Sequence, residues 1–157
     1  MTALGVTVWM GAVFIGLYCL LAEERRKVAE YEGLVLLLRH IRASVSSYAL
    51  PKEQIYATFL HPALAKCGFL DVLGREGLAC ALEKGGLCVG EEALRPLRIF
   101  AEGMGMRLSV EELSACGTAL DEAEGILATL RDRLPTRLRL CRTLVLTGGM
   151  MVVLLFV

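Results

Sequence analysis

Charge is missing from two stretches of this chain. Residues 3–22, "ALGVTVWMGAVFIGLYCLLA", contain no Asp, Glu, Lys or Arg, and neither do residues 143–157. No charge of either sign is in excess overall, since 17 basic residues balance 17 acidic ones. Nucleic-acid binders usually carry a basic excess, so no nucleic-acid partner is expected. Close metal-ligand pairs are also missing. Cys19, Cys67, Cys80, Cys88, Cys116 and Cys141 contain no CxxC spacing, and His40 and His61 are the only histidines. A zinc site needs paired ligands that converge on one ion, so no metal is expected. No stretch alternates β-branched and polar residues with period two, which argues against a sheet. There is no internal repeat and no low-complexity linker.

What is present is apolar surface, concentrated at the two ends. The chain of 157 residues is 55% hydrophobic, with a mean hydropathy of +0.57. Twenty uncharged residues in a helix span about 30 Å, the thickness of a hydrocarbon core. Residues 3–22 therefore predict a transmembrane helix. A cleaved signal peptide would want a basic start and a small-x-small cleavage site. The first 22 residues contain no Lys or Arg, and "LYCLLAEE" has no such small pair. Bulky Tyr18 before Cys19 also makes a poor lipoprotein site.

The second uncharged run has fifteen residues, which reach only about 22 Å. Leu138 and Leu140 extend it if Arg137, Arg139 and Arg142 snorkel toward the headgroups. A buried C-terminal core helix is the competing reading. Met150 to Val157 is apolar on every face, which suits lipid better than a half-exposed surface.

Charge sets the expected orientation. Arg25, Arg26 and Lys27 follow the first run, and Arg131, Arg133, Arg137, Arg139 and Arg142 precede the second. Both clusters flank the central region, so the positive-inside rule places that region in the cytoplasm and both termini across the membrane. The expected organisation is a transmembrane helix over 1–22, a cytoplasmic helical domain over 23–137 and a second transmembrane helix over 138–157. In a cytosolic domain the cysteines are expected to be reduced and mostly buried.

The middle reads as helical. Tyr31, Leu34, Leu38, Ile41, Val45 and Tyr48 form one stripe at spacings of three and four. Gly33 weakens that helix locally, and Pro51 should end it. A second stripe runs through Leu113, Cys116, Leu120, Ala123, Leu127, Leu130 and Leu134. Ser109 and Glu112 in "SVEE" have capping-box spacing, and Pro135 should end or kink the helix. One stripe leaves the first span and the other returns to the second, which predicts an all-α antiparallel bundle. Leu113, Leu120, Leu127 and Leu130 are its expected packing residues. Between the stripes, a helix follows Pro51 to about residue 60. "HPALAKCG" reads as a connection, residues 69–84 as one apolar helix, and "GEEALRPLRIFAEGMG" as another that Pro96 kinks or restarts.

No active site emerges. His40 and His61 have no Ser or Cys neighbour in motif spacing and are expected to be structural. Glu23/Glu24, Glu91/Glu92 and Glu111/Glu112 read as acidic helix starts that complement the macrodipole. Gly148 and Gly149 let another helix approach the last span closely, or simply face lipid.

The C-terminal third resembles the stage III sporulation protein AB family of endospore-forming bacteria. "RLCRTLVLTGGMMVVLLFV" is similar to that family's end through Leu140, Arg142, Thr143, Leu144, Gly148 and Gly149. "GMGMRLSVEEL" resembles an upstream segment through Gly105, Ser109 and Glu111, and "SSYALPKEQIYATF" an early turn through Tyr48 and Pro51. Leu113, Ser109 and Val145 depart from the family's usual glutamine, aspartate and glycine, and Pro135 interrupts an otherwise continuous helix. The resemblance implies a non-enzymatic relative of the inner-membrane platform proteins of type II secretion and type IV pilus machines. It would lie in the mother cell's outer forespore membrane without a cofactor. Its partners would be a secretion-type ATPase and other subunits of the sporulation complex, and homo-oligomerisation would be compatible with such an assembly. The alternative is a membrane-bound enzyme or sensor with an unrecognised site in the helical domain.

Overall fold

The computed structural model describes the backbone of residues 2–48, 52–104 and 109–156, and side chains chiefly in 18–46, 54–104 and 110–136. Every regular element among them is helical. In chain order these are α1 (Thr2–Tyr48), α2 (Lys52–Thr58), α3 (Pro62–Lys66), α4 (Phe69–Glu76), α5 (Leu78–Lys84), α6 (Glu91–Gly103) and α7 (Ser109–Phe156). The all-α class expected from the sequence is thus observed.

The chain divides into two compact units. One comprises residues up to Arg25 together with those from Leu130 onward, and the other comprises Arg26–Thr129. The first unit contains the start of α1 and the end of α7, as antiparallel helices require. Among the described residues no helix is long and apolar enough to cross a membrane. Most side chains of residues 3–22 and 143–157, where the spans are expected, lie outside the described residues.

In the unit Arg26–Thr129 the core forms around α1. Tyr31, Leu34, Leu38 and Ile41 are buried as the stripe predicts, and Val35 and Leu37 are buried beside them. From α7 come Cys116, Ala119, Leu120, Ala123 and Leu127. Leu113, Leu130 and Leu134 are half-buried at the margins of the second stripe, as is Val45 on the first. The Cys116 thiol lies 3.6 Å from the Leu38 carbonyl, which sets α7 directly against α1. The shorter helices contribute Ile55, Leu64, Phe69, Leu73, Leu97 and Phe100 to the same core.

Several boundaries differ from the sequence reading. The stripe helix does not start after the first apolar run, because α1 continues through it without a break. Glu23 and Glu24 therefore stand inside a helix and complement no helix start. "HPALAKCG" is more than a connection, since Pro62 occupies the first turn of α3, where a missing N–H costs nothing. The expected helix over 69–84 is two helices. Gly77, at φ +86°, caps α4 through its N–H to Leu73 and begins α5 by accepting from Ala81. That left-handed backbone suits glycine.

Of the two outcomes expected at each proline, an end is excluded: α6 runs through Pro96 and α7 through Pro135. Each ring removes one helical donor, at an intermediate position in α6 and an exposed one in α7. The capping box at Ser109 and the stripe position at Tyr48 involve side chains outside the described residues, and Pro51 lies outside them altogether.

Gly33 has a positive reason to be glycine. A β-carbon there would lie 2.5 Å from His61 Nδ1 and 2.9 Å from Leu64 Cγ. The missing side chain is what lets α3 lie against α1. Gly33→Ala should destabilise the domain by about 1–3 kcal/mol through overpacking, although alanine favours a helix by about 1 kcal/mol. Thermal unfolding of the full chain in detergent, followed by circular dichroism, measures the balance. An unchanged or raised midpoint would mean that His61 and Leu64 move aside freely.

Candidate interaction site

Two charged residues build a structural site inside the domain. Glu30 falls four residues before Leu34, on the apolar stripe of α1, and is completely buried. A buried carboxylate needs partners for both oxygens. Oε1 accepts from Arg26 Nε at 2.6 Å, one helical turn earlier. Oε2 accepts from the backbone N–H of Cys88 at 2.7 Å. Glu30 thus ties the segment between α5 and α6 to α1. The sequence signal was an acidic residue in register with leucines, and stripe reading passed over it.

The expected interface residues divide accordingly. Arg25 is exposed, and Lys27 is half-buried. Arg26 is half-exposed, with its guanidinium held by Glu30. Its contact is therefore a structural ion pair as well as a candidate interface charge. Arg139 is exposed. The side chains of Arg137, Arg142 and Gly149 lie outside the described residues. A β-carbon at Gly148 would meet nothing within 4 Å, so no helix of this chain approaches it among the described residues.

Other polar groups fasten helices together. His40 Nε2 lies 3.2 Å from the Ile55 carbonyl and 3.1 Å from Thr58 Oγ1, joining α1 to α2. His61 packs on Gly33, and its Nδ1 is buried without a partner. Arg39 donates from both Nε and Nη2 to Glu124 Oε1, a surface link between α1 and α7. Such an exposed pair contributes no more than about 1 kcal/mol. Tyr31 OH donates to the Ala93 carbonyl at 2.9 Å. Burial, with a smaller contribution from Glu122, pushes its phenol up to about 12.

The cysteines are less buried than expected: among the described residues Cys116 is buried, Cys67, Cys80 and Cys88 are half-buried and Cys19 is exposed, because the last lies on the uncharged run of α1 outside the core. Cys19, Cys67, Cys80, Cys88 and Cys116 are free, and burial pushes the Cys67 and Cys116 thiols up, away from the reactive thiolate. No group of His, Cys, Asp and Glu among the described residues could hold a metal ion. Glu91 and Glu92 do stand in the first turn of α6, and Glu111 and Glu112 in that of α7.

A mainly apolar recess lies on the surface of the described residues, with Ile99 and Thr118 exposed beside buried Phe100 and Ala119. It is a groove of about 290 Å³ between α6 and α7, formed by Pro96, Ile99 and Phe100 on one side and Ala115, Thr118 and Ala119 on the other. Glu122 stands at its edge. Ile99 is 58% exposed, unusual for a large aliphatic residue on a helix that otherwise buries its apolar face. A second, more polar hollow of about 340 Å³ lies around Tyr56, Gly77 and Met104. No sequence pattern marked the groove, because it arises from the pairing of two helices that periodicity treats separately.

Comparison with protein-family models, with curated proteins and with solved structures finds no match in any of the three.

Two measurements probe the polar links. Glu30→Ala should cost about 1–3 kcal/mol, because the Cys88 N–H and the Arg26 guanidinium lose their acceptor. Glu30→Gln retains an acceptor and should cost less. Hydrogen exchange at Cys88 reports the link directly, and an unchanged rate in Glu30→Ala would contradict it.

Tyr31 predicts an alkaline effect. Its folded pKa lies above the unfolded value near 10, so its contribution is fully present below pH 10 and lost as pH rises toward about 12. The unfolding midpoint should therefore fall more steeply in this window for the native chain than for Tyr31→Phe. Parallel curves would mean that the phenol ionises freely in the fold.

Proposed function

We propose that this chain is a non-enzymatic membrane platform, anchored by its apolar ends, whose helical domain docks an ATPase and neighbouring subunits. The observation that carries the reading is the joining of each uncharged run to a domain helix. Residues 3–22 belong to the same helix as the buried stripe of Tyr31 to Ile41, and residues 143–156 to the same helix as Cys116 to Leu127. The basic clusters stand between each run and the domain, as anchors on the cytoplasmic side would. Support for a sporulation complex in the outer forespore membrane comes from the resemblance to the stage III sporulation protein AB family, carried mainly by Leu140 to Gly149. Support for a docking role comes from a domain whose polar contacts join helices and whose open groove is apolar.

Insertion of the last span tests the anchoring. Gly149→Arg places a charge near mid-span, which costs about 2.5–3.5 kcal/mol at a helix centre. Fifteen uncharged residues leave little apolar surplus against it. The variant should fail to insert its C-terminal helix, while the domain of residues 26–129 keeps its helical signal. In a chain with the native cysteines replaced, Glu83→Cys and Ser114→Cys should resist an impermeant thiol reagent in intact cells and react after lysis. Both positions are exposed in the fold. A C-terminus found on the domain's side of the membrane in the native chain and in Gly149→Arg alike would return residues 143–157 to the reading of a core helix. Labelling of either cysteine in intact cells would reverse the orientation.

A further inference from the structure

We infer that the groove between α6 and α7 is a docking site for an amphipathic helix that carries basic residues beside its apolar anchor. Its floor is apolar, from Pro96, Ile99, Phe100, Ala115 and Ala119. Its rim is acidic. On α7, Glu111, Ala115, Thr118 and Glu122 fall at i, i+4, i+7 and i+11, one stripe with a carboxylate at each end. On α6, Glu92, Pro96 and Ile99 fall at i, i+4 and i+7, adding a third carboxylate. Glu92, Glu111 and Glu122 are all exposed. None of them pairs with a cation among the described residues, whereas neighbouring Glu91 reaches Arg98. Neither stripe contains Lys or Arg, and Arg95 lies about 100° around α6 from Pro96.

Shape and charge select the occupant. A groove of about 290 Å³ that is open along both helices has room for anchor side chains of a larger partner. Helix-in-groove recognition places apolar residues at i, i+3, i+4 and i+7 against such a floor. Three unpaired carboxylates around the floor favour Lys and Arg on the partner's flanks and raise the encounter rate. The same carboxylates repel nucleic-acid phosphates and anionic lipid headgroups, so a basic protein helix is the partner that the chemistry fits. Attributing that helix to the docked ATPase rests on the platform reading. The chemistry of the groove does not.

The test uses the full chain in nanodiscs of neutral phosphatidylcholine, with empty nanodiscs as blank. Two fluorescent peptides share one leucine stripe. One has Lys and Arg on its flanks and the other has Glu. Anisotropy should show the basic peptide binding at least about tenfold more tightly, with the difference shrinking as salt rises. Ile99→Asp should abolish its binding without loss of helical signal, because Ile99 is largely exposed. Combined Glu92→Lys, Glu111→Lys and Glu122→Lys should transfer the preference to the acidic peptide.

Equal binding of both peptides, or no binding of either, overturns the proposal. So does basic-peptide binding that survives Ile99→Asp, because the contact would then lie elsewhere. None of these outcomes bears on Gly149→Arg insertion or cysteine accessibility, so the groove and the membrane platform can fail separately.

Discussion

The fold depends on how much of one helix is hidden. Between Glu30 and Ile41, α1 buries Glu30, Tyr31, Leu34, Val35, Leu37, Leu38 and Ile41, an arc of about 160° at 100° per residue. An ordinary surface helix hides a narrower stripe. α7 covers part of the arc, with Cys116 against Leu38. The remainder must be covered by the helices between them. That requirement explains why five short helices, α2 to α6, lie between the two long ones in sequence. It also explains Gly33, where α3 comes too close for a β-carbon, and Glu30, which must find internal partners because water cannot reach it.

Helical continuity gives this arrangement its functional sense. α1 and α7 enter the domain from the apolar ends without a glycine-capped break, and even Pro135 leaves α7 assigned as one helix. On the platform reading, the helices that would sit in lipid are also those that organise the cytoplasmic core. Arg26 lies at the junction and serves the core through Glu30. A partner docked on α6 and α7 would then contact an element belonging to both the domain and the anchor. The groove lies on α7 between Ala115 and Glu122, within the buried part of that helix rather than in its apolar end.

Much of this was legible because period and composition are local properties. The all-α class, both long stripes and the structural use of His40 followed from spacing alone. The second face of α1 was not legible. Leu37 and Gly33 lie off the single stripe; Leu37 is nonetheless buried, and the approach of α3 explains the glycine at 33. The break at Gly77 is not legible because a single glycine is tolerated within a helical pattern and no proline marks the boundary in residues 69–84. Whether Pro96 and Pro135 end a helix or lie inside it was not legible, because a proline removes only one donor and its surroundings decide the rest. The groove could not be read at all, because Ile99 and Ala115 are brought together only by the packing of α6 on α7.

Trp9, the single tryptophan, lies in the first uncharged run and reports directly on the claim that this run is a membrane anchor. Its fluorescence can be measured in the full chain reconstituted into phosphatidylcholine vesicles, with brominated acyl chains as one quencher and aqueous iodide as the other. Anchoring predicts a blue-shifted emission, quenched by the brominated chains and insensitive to iodide. Quenching by iodide with no response to the brominated lipid would contradict it, and the apolar ends would then have to be buried in protein instead.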